Sequence, residues 1–273
     1  MNSVPLTIAL AQAEGGPVPT ENLAVAKQMV AEAAAGRADL IVFPEMFMAL
    51  PEQGRSLDEV AEPLDGPFVN SLAGLASKYG LHIVSGFWEI GPGDHRVYNT
   101  AVILSPEGKL LDCYRKVHLF DALSVRESDR MIPGNALPPL FTINEVRIGL
   151  AICYDLRFPE LFRNLALRGA DLILLPSAWY AGPLKEEHWL TLLKARAIEN
   201  TVYMAGANLT CGAFSGRSAI FDPFGVLIAG TGESPGLVTG KIDIDRIKEV
   251  REKLPSLHHC RMELFAGVVD QQQ

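Results

Sequence analysis

The chain has 273 residues, 48% hydrophobic and 21% charged, the composition of a folded globular protein with one large domain or two small ones. Its formal net charge of -8 is interrupted by no basic cluster, which argues against nucleic acid and anionic membrane as partners, and no apolar run reaches the ~18 residues of a membrane span. The amino terminus lacks the regions of a signal peptide, and Cys113, Cys153, Cys211 and Cys260 form no CxxC pair, so neither a disulfide framework nor a zinc site is suggested and a reducing, cytoplasmic setting fits.

Leu6 to Ala11 reads as a buried strand, and Glu21 to Ala35 as an alanine-rich helix ending near Gly36. Asp39 to Phe43 is a strand stopped by Pro44. Phe68 to Tyr79 is a helix closed by Gly80, followed by strands Leu81 to Trp88 and Thr100 to Ser105. Lys109 to Tyr114 returns as a hairpin partner across Pro106-Glu-Gly108. Lys116 to Pro139 is polar and irregular, and a loop of that length is usually functional. Ile148 to Ile152 is a core strand that ends on Cys153, with a helix-like segment from Pro159. A cysteine at such a tip is rigidly held and close to helix-start amides, a seat for a thiol nucleophile as well as for an inert core thiol. The helix Lys185 to Asn200 is expected to face the core with Trp189, Leu192, Leu193 and Ile198. A charged helix after Asp245 ends before Pro255, and the tail beyond shows little strand or helix signal.

The two halves repeat each other. Ile8-Ala-Leu-Ala11 aligns with Ile148-Gly-Leu-Ala151, Ala38 to Pro44 with Ala170 to Pro176, and Val102 to Gly108 with Ala219 to Gly225, in the same order. Two similar layers of helix on sheet can bury their sheets against each other, which predicts an α/β, four-layer αββα sandwich. No Ser/Gly-rich linker divides the halves, so residues 1–273 are expected to form a single domain with its core at about 6–251 and a tail at 252–273. Strand ends carry the chemistry in such sheets and here supply Glu45, Lys116 and Cys153.

Phe43-Pro-Glu45-Met-Phe, Tyr114-Arg-Lys116-Val-His-Leu-Phe120 and Ala151-Ile-Cys153-Tyr-Asp-Leu-Arg-Phe-Pro-Glu160 resemble the three signature motifs of the nitrilase superfamily of carbon–nitrogen hydrolases, in order, from about Leu6 to Arg251. The resemblance implies an αββα sandwich of two mixed sheets that pairs through its helices, a homodimer or higher oligomer with the tail placed to reach the partner. It implies Glu45 as general base, Lys116 as stabilising cation, Cys153 as nucleophile and Glu127 as a second glutamate. The residue types suit the chemistry. A thiolate attacks a poorly electrophilic amide better than a hydroxyl does, and a nearby carboxylate can take the thiol proton and return it to departing ammonia. Lys116 and the backbone N–H of Tyr154 are the expected oxyanion donors.

Cys153-Tyr-Asp-Leu-Arg-Phe-Pro-Glu160 looks like the amidase branch that includes the Nit proteins, ω-amidases and deaminated-glutathione amidases, with a small amide as substrate. Arg157 falls where a carboxylate-binding arginine would suit such substrates; pairing with Asp155, Glu160 or Asp171 is the structural alternative. Pro183 to Trp189 is similar to the Gly-Pro-x-His-Trp stretch of the Nit proteins but carries extra residues, and it places His188, with Trp179 and Tyr180, as candidate substrate contacts. No H-x-H or HExxH spacing suggests a metal, and no cofactor is expected. Hydrolysis of a nitrile or an N-carbamoyl group, a non-catalytic scaffold and a redox-sensing thiol are the alternatives.

Overall fold

Two mixed sheets lie face to face, each covered on its outer side by helices. The structure is a computed structural model that describes residues 4–50, 52 and 54–264. The first half lays down β1 (Leu6–Gln12), α1 (Pro19–Ala35), β2 (Leu40–Val42), α2 (Pro67–Tyr79), β3 (His82–Glu89), β4 (Tyr98–Leu104) and β5 (Leu110–Arg115). A small hairpin of β6 (Asp121–Ala122) and β7 (Val125–Arg126) interrupts the long loop. The second half comprises β8 (Leu140–Ile143), β9 (Val146–Leu150), α3 (Pro159–Leu167), β10 (Leu172–Ser177), α4 (Lys185–Asn200), β11 (Tyr203–Asn208), β12 (Ala219–Phe221), β13 (Leu227–Gly230), β14 (Gly236–Ile242) and α5 (Ile244–Lys253).

The strand orders are β14-β1-β2-β3-β4-β5 and β13-β12-β11-β10-β9-β8. The repeat seen in the sequence is kept residue by residue in the pairing. Ile8 pairs with Leu40 in the first sheet as Ile148 pairs with Leu172 in the second, and Ser85 faces Val102 as Gly206 faces Ala219. The expected αββα sandwich is therefore present. Strands β8 and β14 were not anticipated. β8 and β14 play the same part in the two sheets, each adding an antiparallel strand beside the first parallel one.

Strands buried on both faces explain the near-continuous apolar runs. Leu6, Ile8 and Leu10 of β1 point into the layer between the sheets, with Ile148 and Leu150 of β9, while Ala9 and Ala11 face α1 and α2. The small alanines let those helices sit close to the sheet. On α4 one expectation is corrected. Trp189 and Leu193 are buried, but Leu192 is half-buried and Ile198 is exposed; Arg196, Ala197 and Asn200 complete the inner face. Ile198 lies nine residues beyond Trp189, which at 100° per residue is half a turn away, and it covers the turn at Gly225 instead. The anticipated tail, residues 252–273, is described to residue 264, and residues 265–273 lie outside the described residues.

Candidate active site

Cys153 sits where the β9 run turns into a short 3-10 segment ending at Arg157. Its φ of 42° is in the left-handed region, which costs a non-glycine residue about 1–2 kcal/mol. The surroundings hold it there. Ile152 N–H donates to Asp155 Oδ2 at 2.9 Å, and buried Arg196 donates from Nε and Nη2 to the Leu156 carbonyl at 3.1 and 2.8 Å. The thiol is exposed only at the floor of a pocket.

Lys116, 1% exposed, lies between two carboxylates: Nζ donates to Glu45 Oε1 at 2.8 Å and to Glu127 Oε1 at 3.0 Å. Glu45 follows β2 and is itself fixed by Asn99 Nδ2 at 2.7 Å and, from the other half, by the Ala178 N–H at 2.8 Å. Glu127 accepts the Phe120 N–H at 2.7 Å. Gly86 on β3 makes room for this. A Cβ there would come within 2.8 Å of Glu45 Cα, Met46 N and Pro44 O, all backbone atoms that cannot yield cheaply.

The electrostatics follow from one cation and two acids in a dry site. Burial opposes the Lys116 charge, but Glu45, Glu127 and Cys153 outweigh it, so the ammonium persists with its pKa well above a free lysine's. Burial raises Glu127, with Glu45 adding to it and Lys116 opposing. Burial, then the charge of Glu45 beside it, pushes the Cys153 thiol well above the usual range, against the pull of Lys116. The resting sulfur is thus held as a thiol beside Glu45.

Above the sulfur is an open pocket whose walls include Phe120, Tyr154, Trp179, Tyr180, Arg157 and Lys185. Trp179 and Tyr180 line it. Arg157 lines it too, with its guanidinium 4.8 Å from the Trp179 ring centre, and makes none of the three pairings the sequence left open: Asp155 bonds Tyr114 and His118, and Asp171 bonds Arg251. His188 is exposed and lies outside the pocket lining, with Nδ1 3.4 Å from Arg157 Nη2.

Four residues escaped the sequence reading. Lys185 enters the pocket because the chain turns through a left-handed Leu184 (φ 60°) into α4, within the run that carries extra residues relative to the Nit pattern; that departure was the available signal. Gly86 was signalled by a glycine inside a strand. Asn99 carried no signal, since one polar side chain in a strand is ordinary, and Asp155 was noted only within the cysteine motif and as a possible partner of Arg157. Among the described residues no cluster of three or more His, Cys, Asp or Glu side chains could hold a metal ion.

Residues 7–252 match the sequence profile described as carbon-nitrogen hydrolase. The chain is 38% identical over 242 residues to a deaminated glutathione amidase of Escherichia coli O157:H7, covering 88% of this chain and 92% of that protein. It superposes on Saccharomyces cerevisiae Nit3, a member of branch 10 of the nitrilase superfamily, with a TM-score of 0.84 at 30% identity, over 93% of this chain and 96% of the other. It also superposes on an amidase of Nesterenkonia sp. AN1 with a TM-score of 0.83 at 28% identity, over 95% of each chain. In that structure, a glutamate-to-glutamine variant, the acetamide moiety of fluoroacetamide is covalently added at the active site cysteine. Motifs, layer order and matches spanning nearly the whole chain agree: this protein belongs to the carbon–nitrogen hydrolase family of the nitrilase superfamily and is an amide-hydrolysing enzyme.

Proposed function

We propose that the enzyme hydrolyses a small linear amide bearing a carboxylate on its acyl part, through a thioester on Cys153. Glu45 takes the thiol proton as sulfur attacks the carbonyl carbon. Lys116 and the Tyr154 N–H receive the oxyanion, the protonated Glu45 gives its proton to the departing ammonia, and the acyl group remains on sulfur. Water, deprotonated by Glu45 or Glu127, then attacks the thioester and releases the carboxylic acid and the thiol.

The observation that carries the substrate class is a pair of uncompensated cations. Neither Arg157 nor Lys185 has a carboxylate within 4.0 Å among the described residues, in a chain of net charge -8. Lys185 Nζ lies 5.1 Å from the Trp179 ring centre and 5.3 Å from that of Phe120. Burial first, and Arg157 second, lower its pKa, and an anionic substrate would relieve both. The deaminated glutathione amidases among the relatives fit this reading by name.

The test is a panel of matched amides with and without a distal carboxylate, followed by ammonia release and intact mass. Acid-bearing amides are expected to be preferred and to leave an acyl mass on Cys153. Equal turnover of the neutral partners would sink the carboxylate reading, and carbon dioxide released with ammonia would point to an N-carbamoyl substrate instead. Arg157→Met is expected to raise KM for the acid-bearing amide about 10- to 100-fold, the worth of a charge-assisted hydrogen bond, and to leave neutral amides nearly unchanged. Gly86→Ala is expected to displace Glu45 and lower kcat/KM by about 10²-fold while costing about 1–3 kcal/mol of stability, read by kinetics and urea unfolding; full activity would show that the Glu45 turn tolerates the shift.

The same reading includes a homodimer and a reducing, cytoplasmic location. Supporting them are the exposed Leu167 and Ile198 on the outer helices, which a second copy would cover, and four free thiols. Sedimentation of the purified chain tests the first.

A further inference from the structure

Asp155 is a fully buried acid to which the proposed chemistry gives no role. Both of its oxygens are occupied. Oδ2 accepts the Ile152 N–H and the Tyr114 hydroxyl, each at 2.9 Å, and Oδ1 accepts His118 Nδ1 at 2.7 Å and the His118 N–H at 3.3 Å. These donors fall in a pattern. Ile152 immediately precedes Cys153, and Tyr114 and His118 stand two residues to either side of Lys116. One carboxylate therefore fastens the segment that carries the ammonium, at the end of a strand of one sheet, to the turn that carries the sulfur, at the end of a strand of the other.

The donors are themselves fixed. A carboxylate accepts only, so His118 Nδ1 carries the proton, and the ring stacks on Phe158 with centroids 3.7 Å apart and planes 7° apart. Phe158 closes the same turn that starts at Cys153, its N–H donating to the Asp155 carbonyl at 2.9 Å. Burial, then Asp155, pushes the Tyr114 hydroxyl far up, so it remains a donor.

We propose that Asp155 is a positioning residue that sets the Lys116 ammonium against the Cys153 sulfur by bonding both segments at once. This rests on the roles proposed for Lys116 and Cys153. A residue that only supported the fold would affect unfolding and leave the chemistry of the folded enzyme alone. A positioning residue changes kcat and the acidity of the sulfur, because the ammonium lowers the thiol pKa only while it is held near.

The experiment uses Asp155→Asn, Tyr114→Phe, His118→Asn and His118→Leu in the full chain. Steady-state kinetics, unfolding, and the pH dependence of Cys153 alkylation by iodoacetamide, mapped to that residue by mass, are measured for each. Asp155→Asn is expected to lower kcat about 10- to 100-fold with KM little changed, and to move the alkylation profile to higher pH. Tyr114→Phe removes one donor without changing volume, is expected to shift both in the same direction, and carries the test where Asp155→Asn does not fold. His118→Asn keeps a donor near the Nδ1 position and is expected to retain the activity that His118→Leu loses.

A folded Asp155→Asn or Tyr114→Phe protein with unchanged kcat and alkylation profile overturns the proposal, as does equal behaviour of the two His118 variants. Cys153→Ala separates the two claims. If it keeps turnover, the catalytic reading itself falls; if it loses turnover while the Asp155 and Tyr114 variants change only stability, this inference alone falls.

Discussion

Replacing Cys153 with alanine is expected to abolish ammonia release, by about 10⁴-fold or more, in a protein that still folds. The size of the loss follows from what remains in the pocket. Glu45 and Lys116 would still be in place and could direct a water at a bound amide, but water is a poorer nucleophile than sulfur and no covalent intermediate would divide the reaction. The other side chains there are no substitute. Tyr180 is pushed up by burial and then by the nearby Glu45 and Glu127, so its phenolate is scarce. Stability should barely change, since alanine keeps the Cβ, sits at the same left-handed φ, and leaves only the space of one sulfur. A cost under about 1.5 kcal/mol is expected for so small a volume change. Ammonia assays, urea unfolding and intact mass after exposure to a slow amide measure all three. The parent chain should gain the acyl mass and the variant should not. Undiminished turnover by a folded variant would remove Cys153 from the mechanism.

How much of this was legible beforehand depends on whether a feature is periodic or convergent. The sandwich could be read because its cause is local and repeated: Ile8-Ala-Leu-Ala11 and Ile148-Gly-Leu-Ala151 are apolar on both faces, and Asp-Leu-Ile-x-x-Pro recurs at the end of the next strand. The edge strands β8 and β14 could not, because their alternation is weak and each is defined by the neighbour it pairs with. Glu45, Lys116, Glu127 and Cys153 were found through motifs, and the folded chain brings Glu45, Glu127 and Cys153 to one pocket wall with Lys116 bonded between the two acids. Asp155 and Asn99 were missed for a physical reason. Their roles lie in partners 37 to 54 residues away, so neither the place of Asp155 inside the cysteine motif nor that of Asn99 in a strand tells what each one bonds. His188 errs the other way. Four residues along α4 from Leu184 it stands on the outward side, so its nearness in sequence to Lys185 does not bring it into the pocket lining.

Lys116→Met is expected to do more damage than any other single change apart from loss of the sulfur, and to do it to folding as well as to chemistry. Methionine matches the length of the lysine stem but removes the one cation between Glu45 and Glu127, which are 1% and 7% exposed. Breaking a buried pair in this way costs about 3–5 kcal/mol, because the acids left behind have lost both water and partner. The two acids are not equally exposed to the loss. Glu45 keeps Asn99 and the Ala178 N–H, whereas among the described residues Glu127 keeps only the Phe120 N–H. Glu127, already raised by burial, should therefore rise further and be the group that takes up a proton. The pH dependence has a definite sign. A carboxyl whose folded pKa lies above its unfolded value of about 4.3 contributes stability at low pH that is lost as pH rises through the folded pKa. The stability deficit of the variant should be largest near pH 8 and shrink as pH falls toward 5. Adding Glu127→Gln to Lys116→Met should recover stability at pH 8 without recovering turnover, since the oxyanion donor proposed here, worth about 10²–10³-fold in kcat, would still be missing. Urea unfolding across pH and ammonia release measure the two effects separately. A Lys116→Met protein as stable as its parent at pH 8 would mean that the ammonium does not neutralise this pair, and full activity would mean that it does not serve the reaction.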